Sequence, residues 1–244
     1  MKCHPIRGLL LGCLPLFAAT VFSAETNTES AAPLPDNFAE LARSERRVPF
    51  RDVIRATTHC RVLSFQTNNP AHIELRKKIL EAAALAGERA AREGLQVDRA
   101  NEAGTHIEPF VRAALKDIGL DARIPVNAAG EAQAAGYPDV EITGAVPCYL
   151  ELKTYNAATA HTTQRTFYYS PSSQPKVTRD ALHFLLAFQM EKLTRDGKTT
   201  FVPIRWKLLT LENLHVHLKC EFNESNRGLY GPESSSLLAE GEVK

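Results

Sequence analysis

At 244 residues the chain is long enough to bury the core of one domain of ordinary size. A hydrophobic content of 44% with 23% charged residues matches a soluble globular protein. The formal net charge of +1 rules out arguing a nucleic-acid partner from overall charge, so any such partner must meet a local patch.

The chain opens with Lys2 and Arg7, followed by the apolar run LLLGCLPLFAATVFS and the polar AETNTES. This three-part layout is that of a secretory signal peptide over residues 1–23. Val21 and Ser23 suit cleavage after Ser23, whereas cleavage after Ala24 puts the bulky Phe22 three residues back. The apolar run is too short for a membrane span. Leu10-Leu11-Gly12-Cys13 loosely resembles a lipobox, but the apolar run continues past Cys13. The expected location is therefore periplasmic or secreted, without a stable membrane span after cleavage. A true start further downstream would make it cytoplasmic. Beyond the leader lie Cys60, Cys148 and Cys220, enough for at most one internal bridge. No Cys-x-x-Cys pair supports structural zinc.

Residues 24–40 are polar with two prolines and read as a linker; residues 41–230 read as the folded domain and 231–244 as a flexible tail. RSERRVPFRDVIRATTHCR, residues 43–61, holds six arginines against Glu45 and Asp52. It is either a basic arm that reaches phosphates, with Arg46 and Arg47 at its centre, or a solvated helix face.

Asn69 and Pro70 supply a cap and a first helical residue, and the pattern runs on to a stop at Gly94. A second helix is expected from Thr105 to Lys116, where Thr105-x-x-Glu108 has the form of a capping box. DARIPV (121–126), PDVEIT and VPCYLELKTY read as strands, the last two joined around Thr143-Gly144. TFYYSP (166–171) is β-prone. Leu182, Leu185, Leu186, Met190 and Leu193 predict a helix over 177–197. TFVPIRWKLLTL, with Trp206 in the core, and LHVHLKCEF read as two further strands. His215, His217, Lys219 and Glu221 alternate on one face of the last, where no third zinc ligand is identifiable. The order predicts an α/β fold with a mixed central sheet flanked by helices.

Side chains two apart on a strand share a face. Tyr149, Glu151 and Lys153 therefore point one way, and Cys148, Leu150 and Leu152 point into a core. On the preceding strand Asp139 and Glu141 share a face, opposite Val140 and Ile142. Folding at Thr143-Gly144 brings Asp139 near Glu151 and Lys153, with Glu141 as a supporting or solvated acid. Two carboxylates and an ammonium on one patch suit a hard cation with oxygen ligands and a water that needs orienting. The plainer reading is an exposed charge ladder on a hairpin.

Pro138-Asp139, eleven intervening residues and Glu151-Leu152-Lys153 resemble the signature of the PD-(D/E)XK nuclease superfamily. The resemblance implies a restriction-endonuclease-like fold and a deoxyribonuclease of that kind, using Mg²⁺, with Mn²⁺ as a substitute. It implies Asp139 and Glu151 as metal ligands, joined by the Leu152 carbonyl, and Lys153 as the catalytic lysine. Glu108 stands where many members add a further acid to the metal site, and His106 beside it reads as exposed. Double-stranded DNA is the implied partner, and a homodimer the implied means of cutting both strands. Gln164 and Tyr168 match the spacing of a helical pair in one branch of the superfamily, but their segment is β-like. Arg165 and Lys176 are candidate phosphate contacts from loops, or else solvated. The competing function is a non-enzymatic exported binding domain on the same fold.

Overall fold

The computed structural model describes residues 46–97, 102–163, 166–219, 225–231 and 238–242. The expected leader and linker lie outside the described residues, as do Gln164, Arg165, Cys220 and Glu221.

Strand β1 (Arg46–Pro49) runs directly into helix α1 (Phe50–Thr58). No side chain caps this helix, and the Phe50 N–H bonds instead to the Leu214 carbonyl at 2.8 Å. Helix α2 (Pro70–Glu93) begins as its sequence predicts, with the Asn69 side chain accepting from the Ala71 N–H at 2.9 Å. It ends at Gly94, whose φ of 78° is unfavourable for other residues. A Cβ at Gly94 would stand 2.6 Å from Thr200 Cγ2.

Helix α3 (Ala103–Asp117) starts before Thr105, so Thr105 and Glu108 lie inside it and form no capping box. The reason is packing: Ala103 and Ile107 are fully buried one turn apart, which draws the first turn into the helix.

The central sheet has the order β2-β3-β4-β5-β6. Its strands are β2 (Asp121–Arg123), β3 (Val140–Thr143), β4 (Cys148–Tyr155), β5 (Leu182–Arg195) and β6 (Lys198–Thr210). β2, β3 and β4 form an antiparallel meander, β5 lies parallel to β4, and β6 returns antiparallel with an irregularity after Gln189. This is the mixed α/β architecture expected from the element order. Separately, β7 (His215–Leu218) pairs with β1 in a two-stranded ribbon, and a short helix α4 (Asn226–Tyr230) follows.

The helix expected over 177–197 is the strand β5. Its residues from Leu182 to Met190 are almost all buried, on both faces. A strand covered on both sides loses polar alternation and reads as a continuous apolar run, which mimics a helix. Three shorter expectations are also corrected. The strand at 121–126 stops at Arg123, before Pro125, which has no N–H for a ladder. TFYYSP forms no strand; Phe167 and Tyr169 pack edge-on against Phe50 instead. Trp206 is half-buried at the rim of the core.

Two apolar clusters sandwich the sheet. Helices α2 and α3 cover one face, meeting Leu150, Leu152, Leu186 and Phe188. Helix α1 covers part of the other through Phe50 and Ile54, which meet Tyr149, Val177 and Ala181. The face of β4 that carries Tyr149 and Glu151 is thus buried, which a wet charge ladder would not be. Among the described residues no helix is long and apolar enough to cross a membrane.

Candidate active site

The site arises where one strand outruns its neighbour. β3 begins at Val140, opposite Leu150, while β4 continues to Tyr155 with only β5 beside it. The far half of β4 therefore has an open edge. Asp139, the last residue before β3, supplies a side chain there: its Oδ2 accepts the Leu152 N–H at 2.7 Å. In a strand the N–H and C=O of one residue point to the same side, so the Leu152 carbonyl also faces this edge.

Glu151 is 3% exposed. Its Oε1 accepts from Lys153 Nζ at 2.5 Å, while its Oε2 is buried with no hydrogen-bond partner. Burial, then the charge of Asp139, pushes its carboxyl up to about 7, against the opposing pull of Lys153 and Lys176. From the α3 side Glu108 lines the same cleft as Asp139, Leu152 and Lys153, a space of about 720 Å³. Glu108 pairs with Arg112 one turn on, at 3.4 Å. Burial and the Asp139 charge raise its pKa as well. His106 is exposed, as its position suggested.

Among the described residues no three His, Cys, Asp or Glu side chains form a ready-made metal cage. The donor set nonetheless fits Mg²⁺. It offers hard oxygens from Asp139, Glu151 and the Leu152 carbonyl, and Mg²⁺ keeps several waters and needs few protein ligands. The orphaned Glu151 Oε2 is the specific sign, because a buried carboxylate oxygen without a partner is costly.

The other expected residues fall elsewhere. Glu141 is no solvated acid: it is buried and held by Arg123 at 3.0 Å and Arg179 at 3.2 Å. Lys176 is buried, not solvated, with Nζ donating to the Ala134 carbonyl at 3.2 Å and to the Gly136 carbonyl. Arg46 and Arg47 sit on the two-stranded ribbon opposite Leu218 and His217, with Arg47 exposed. His215 and His217 are exposed on its other strand.

Sequence reasoning missed Tyr137 and His183. A hydrogen bond of 2.6 Å joins the Tyr137 hydroxyl to His183 Nδ1, and the two rings stack at 17°. Burial pulls the imidazole down to about 3, so it is neutral at ordinary pH. Assigning 177–197 to a helix hid His183, because only as a strand residue does it sit directly across from Tyr149.

The family model of the type II restriction enzyme MjaV family matches residues 41–233. The chain belongs to that family. A curated family relative, the type II restriction enzyme MjaV of Methanocaldococcus jannaschii, is 37% identical over 164 residues. That alignment covers 63% of this chain and 68% of the relative. No solved structure matches the chain. The family match contains Glu108, Asp139, Glu151, Lys153 and Lys176.

Proposed function

We propose that the chain is a Mg²⁺-dependent endonuclease of the PD-(D/E)XK type that hydrolyses phosphodiester bonds in double-stranded DNA. Membership of a type II restriction enzyme family supports the substrate and the reaction class. The observation that carries the finer reading is the open edge of β4. There Asp139 accepts the Leu152 N–H, its charge acts on Glu151, and Lys153 bonds to Glu151, which keeps one buried oxygen without a partner.

A bound Mg²⁺ would neutralise charge on the phosphate and acidify a water. Asp139, Glu151 Oε2 and the Leu152 carbonyl would hold it, with Glu108 adding negative charge across the cleft. Lys153 keeps its ammonium at Glu151 in the free protein. In the DNA complex it orients the attacking water and stabilises the non-bridging oxygens as charge grows on them. Water attacks phosphorus and gives up a proton to solvent, the bond to the 3′ oxygen breaks, and that oxygen takes a proton from solvent. Cutting both strands calls for two such sites, which a homodimer would supply.

A restriction-type role calls for action in the cytoplasm, and family membership favours that location over the periplasm. The export reading rests on residues 1–23 alone. Sequencing the N-terminus of the protein made in a bacterium decides between them: loss of residues 1–23 supports export.

The purified full chain, incubated with plasmid DNA and Mg²⁺, should cut, and chelator, Asp139→Ala or Lys153→Ala should abolish cutting. Equal cutting by all three proteins, or cutting in chelator, would sink the assignment. Discrete bands would report sequence specificity.

A further inference from the structure

Asp139 hangs from a loop that no ladder fixes. Residues 133–139 form neither helix nor strand. Side-chain bonds of Gln133 with Asn127 and with the Ala135 carbonyl tie down the start of this stretch, the Tyr137 ring packs against Phe50, Phe167 and Tyr169, and three further sets of hydrogen bonds hold the rest. Lys176 Nζ donates to the carbonyls of Ala134 and Gly136. His183 Nδ1 is bonded to the Tyr137 hydroxyl. Asp139 itself is bonded to the Leu152 N–H.

Lys176 is the unusual member. A buried ammonium is costly unless hydrogen-bonded or paired. Here two of its three N–H donors engage loop carbonyls, and Asp139, Glu151 and Glu108 lie within electrostatic reach. Its backbone is anchored in turn: the Pro175 carbonyl accepts the Ala128 N–H at 3.0 Å, and Val177 is buried in the α1 cluster. A lysine that serves DNA phosphates would keep its ammonium in solvent, and this one does not.

We propose that Lys176 is a positioning residue that clamps the Ala134–Gly136 backbone and so holds Asp139 at the open edge of β4. The Tyr137–His183 bond is the second anchor of the same clamp. The proposal rests on the reading that Asp139 is a metal ligand. It concerns how that ligand is held, a task given to residues far apart in sequence.

The test uses the full chain with Lys176→Met, Lys176→Arg and Tyr137→Phe. Calorimetric titration of the DNA-free protein with Ca²⁺ reads the ligand geometry without turnover. Lys176→Met should weaken Ca²⁺ binding about tenfold or more, as loss of an orienting partner does. Lys176→Arg, which keeps charge and donors, should recover most of that loss. DNA affinity in chelator, followed across salt concentrations, should keep the wild-type slope in every variant, whereas loss of a phosphate contact would lower the slope by about one. In Mg²⁺, kcat should fall while KM for DNA changes little. Unaltered Ca²⁺ affinity in Lys176→Met, or a reduced salt slope, would overturn the clamp. If Lys176→Met does not fold, Tyr137→Phe carries the test: weakened Ca²⁺ binding supports the clamp and unchanged binding overturns it. A wild-type chain that binds Ca²⁺ but cuts no DNA would refute the endonuclease reading and leave the clamp to be decided by the titration.

Discussion

Replacing Glu151 with Gln should make the metal-free protein more stable at pH 8 while abolishing cleavage. Gln has nearly the same shape and carries no charge. In the folded protein the Glu151 carboxyl sits at about 7, against an ordinary value of 4.5. A folded pKa raised above the unfolded one means that the native state holds the proton more tightly. The contribution of Glu151 to stability is therefore greatest below pH 4.5, falls as pH rises towards 7, and levels off above it. The gap, at ~1.4 kcal/mol per pH unit, amounts to a cost of about 3 kcal/mol at pH 8. That balance already includes the attraction of Lys153, which Gln would lose. Urea melts in chelator should show the variant ahead at pH 8 by up to ~3 kcal/mol, with the difference vanishing near pH 4.5. For a folded unit of this size the shift in Tm would be roughly 6 to 12 °C. Saturating Mg²⁺ should stabilise the wild type and leave the variant unmoved. A variant less stable than wild type at pH 8 in chelator would refute the reasoning. Glu151 would then be a well-satisfied structural acid, and its unpaired oxygen would have no bearing on a cation.

Three further outcomes follow from the same geometry. Mg²⁺ affinity, read by calorimetry, should rise with pH towards about 7 and level above it, because Glu151 must lose its proton to become a ligand. Affinity independent of pH between 5.5 and 8 would count against Glu151 as that ligand. Removing both Arg123 and Arg179 leaves the Glu141 carboxylate buried without a counter-charge and should cost about 3 kcal/mol or more in urea melts; restoring stability with Glu141→Gln in that background would confirm the cause. Gly94→Ala should destabilise by about 1 to 3 kcal/mol, from positive φ and the clash with Thr200, and loss of under half a kcal/mol would mean the turn relaxes freely.

The hairpin that carries the candidate site was legible in the sequence. Period-two spacing puts Glu151 and Lys153 on one face, and a turn at Thr143-Gly144 folds Asp139 back towards them. Those are local relations, and strand geometry alone dictates them. Helix α2 was legible for the same reason, since Asn69, Pro70 and Gly94 act on their immediate neighbours. Strand β5 was not. Once a segment is buried on both faces its pattern no longer says which period it follows, and only its pairing with β4 and β6 decides. The role of Lys176 was hidden for a different reason. Whether a lysine faces solvent or a loop carbonyl depends on chain that lies some forty residues earlier in sequence.

The sequence by itself determined which residue types stand at which phase of each local element, because backbone geometry repeats every 2 or 3.6 residues whatever surrounds it. Only the tertiary structure decided that β4 outruns β3, that the opened edge receives Asp139, and that Lys176 and His183 hold the loop behind it. Those are contacts between distant segments. They depend on how the layers pack, and packing is settled by the whole chain at once.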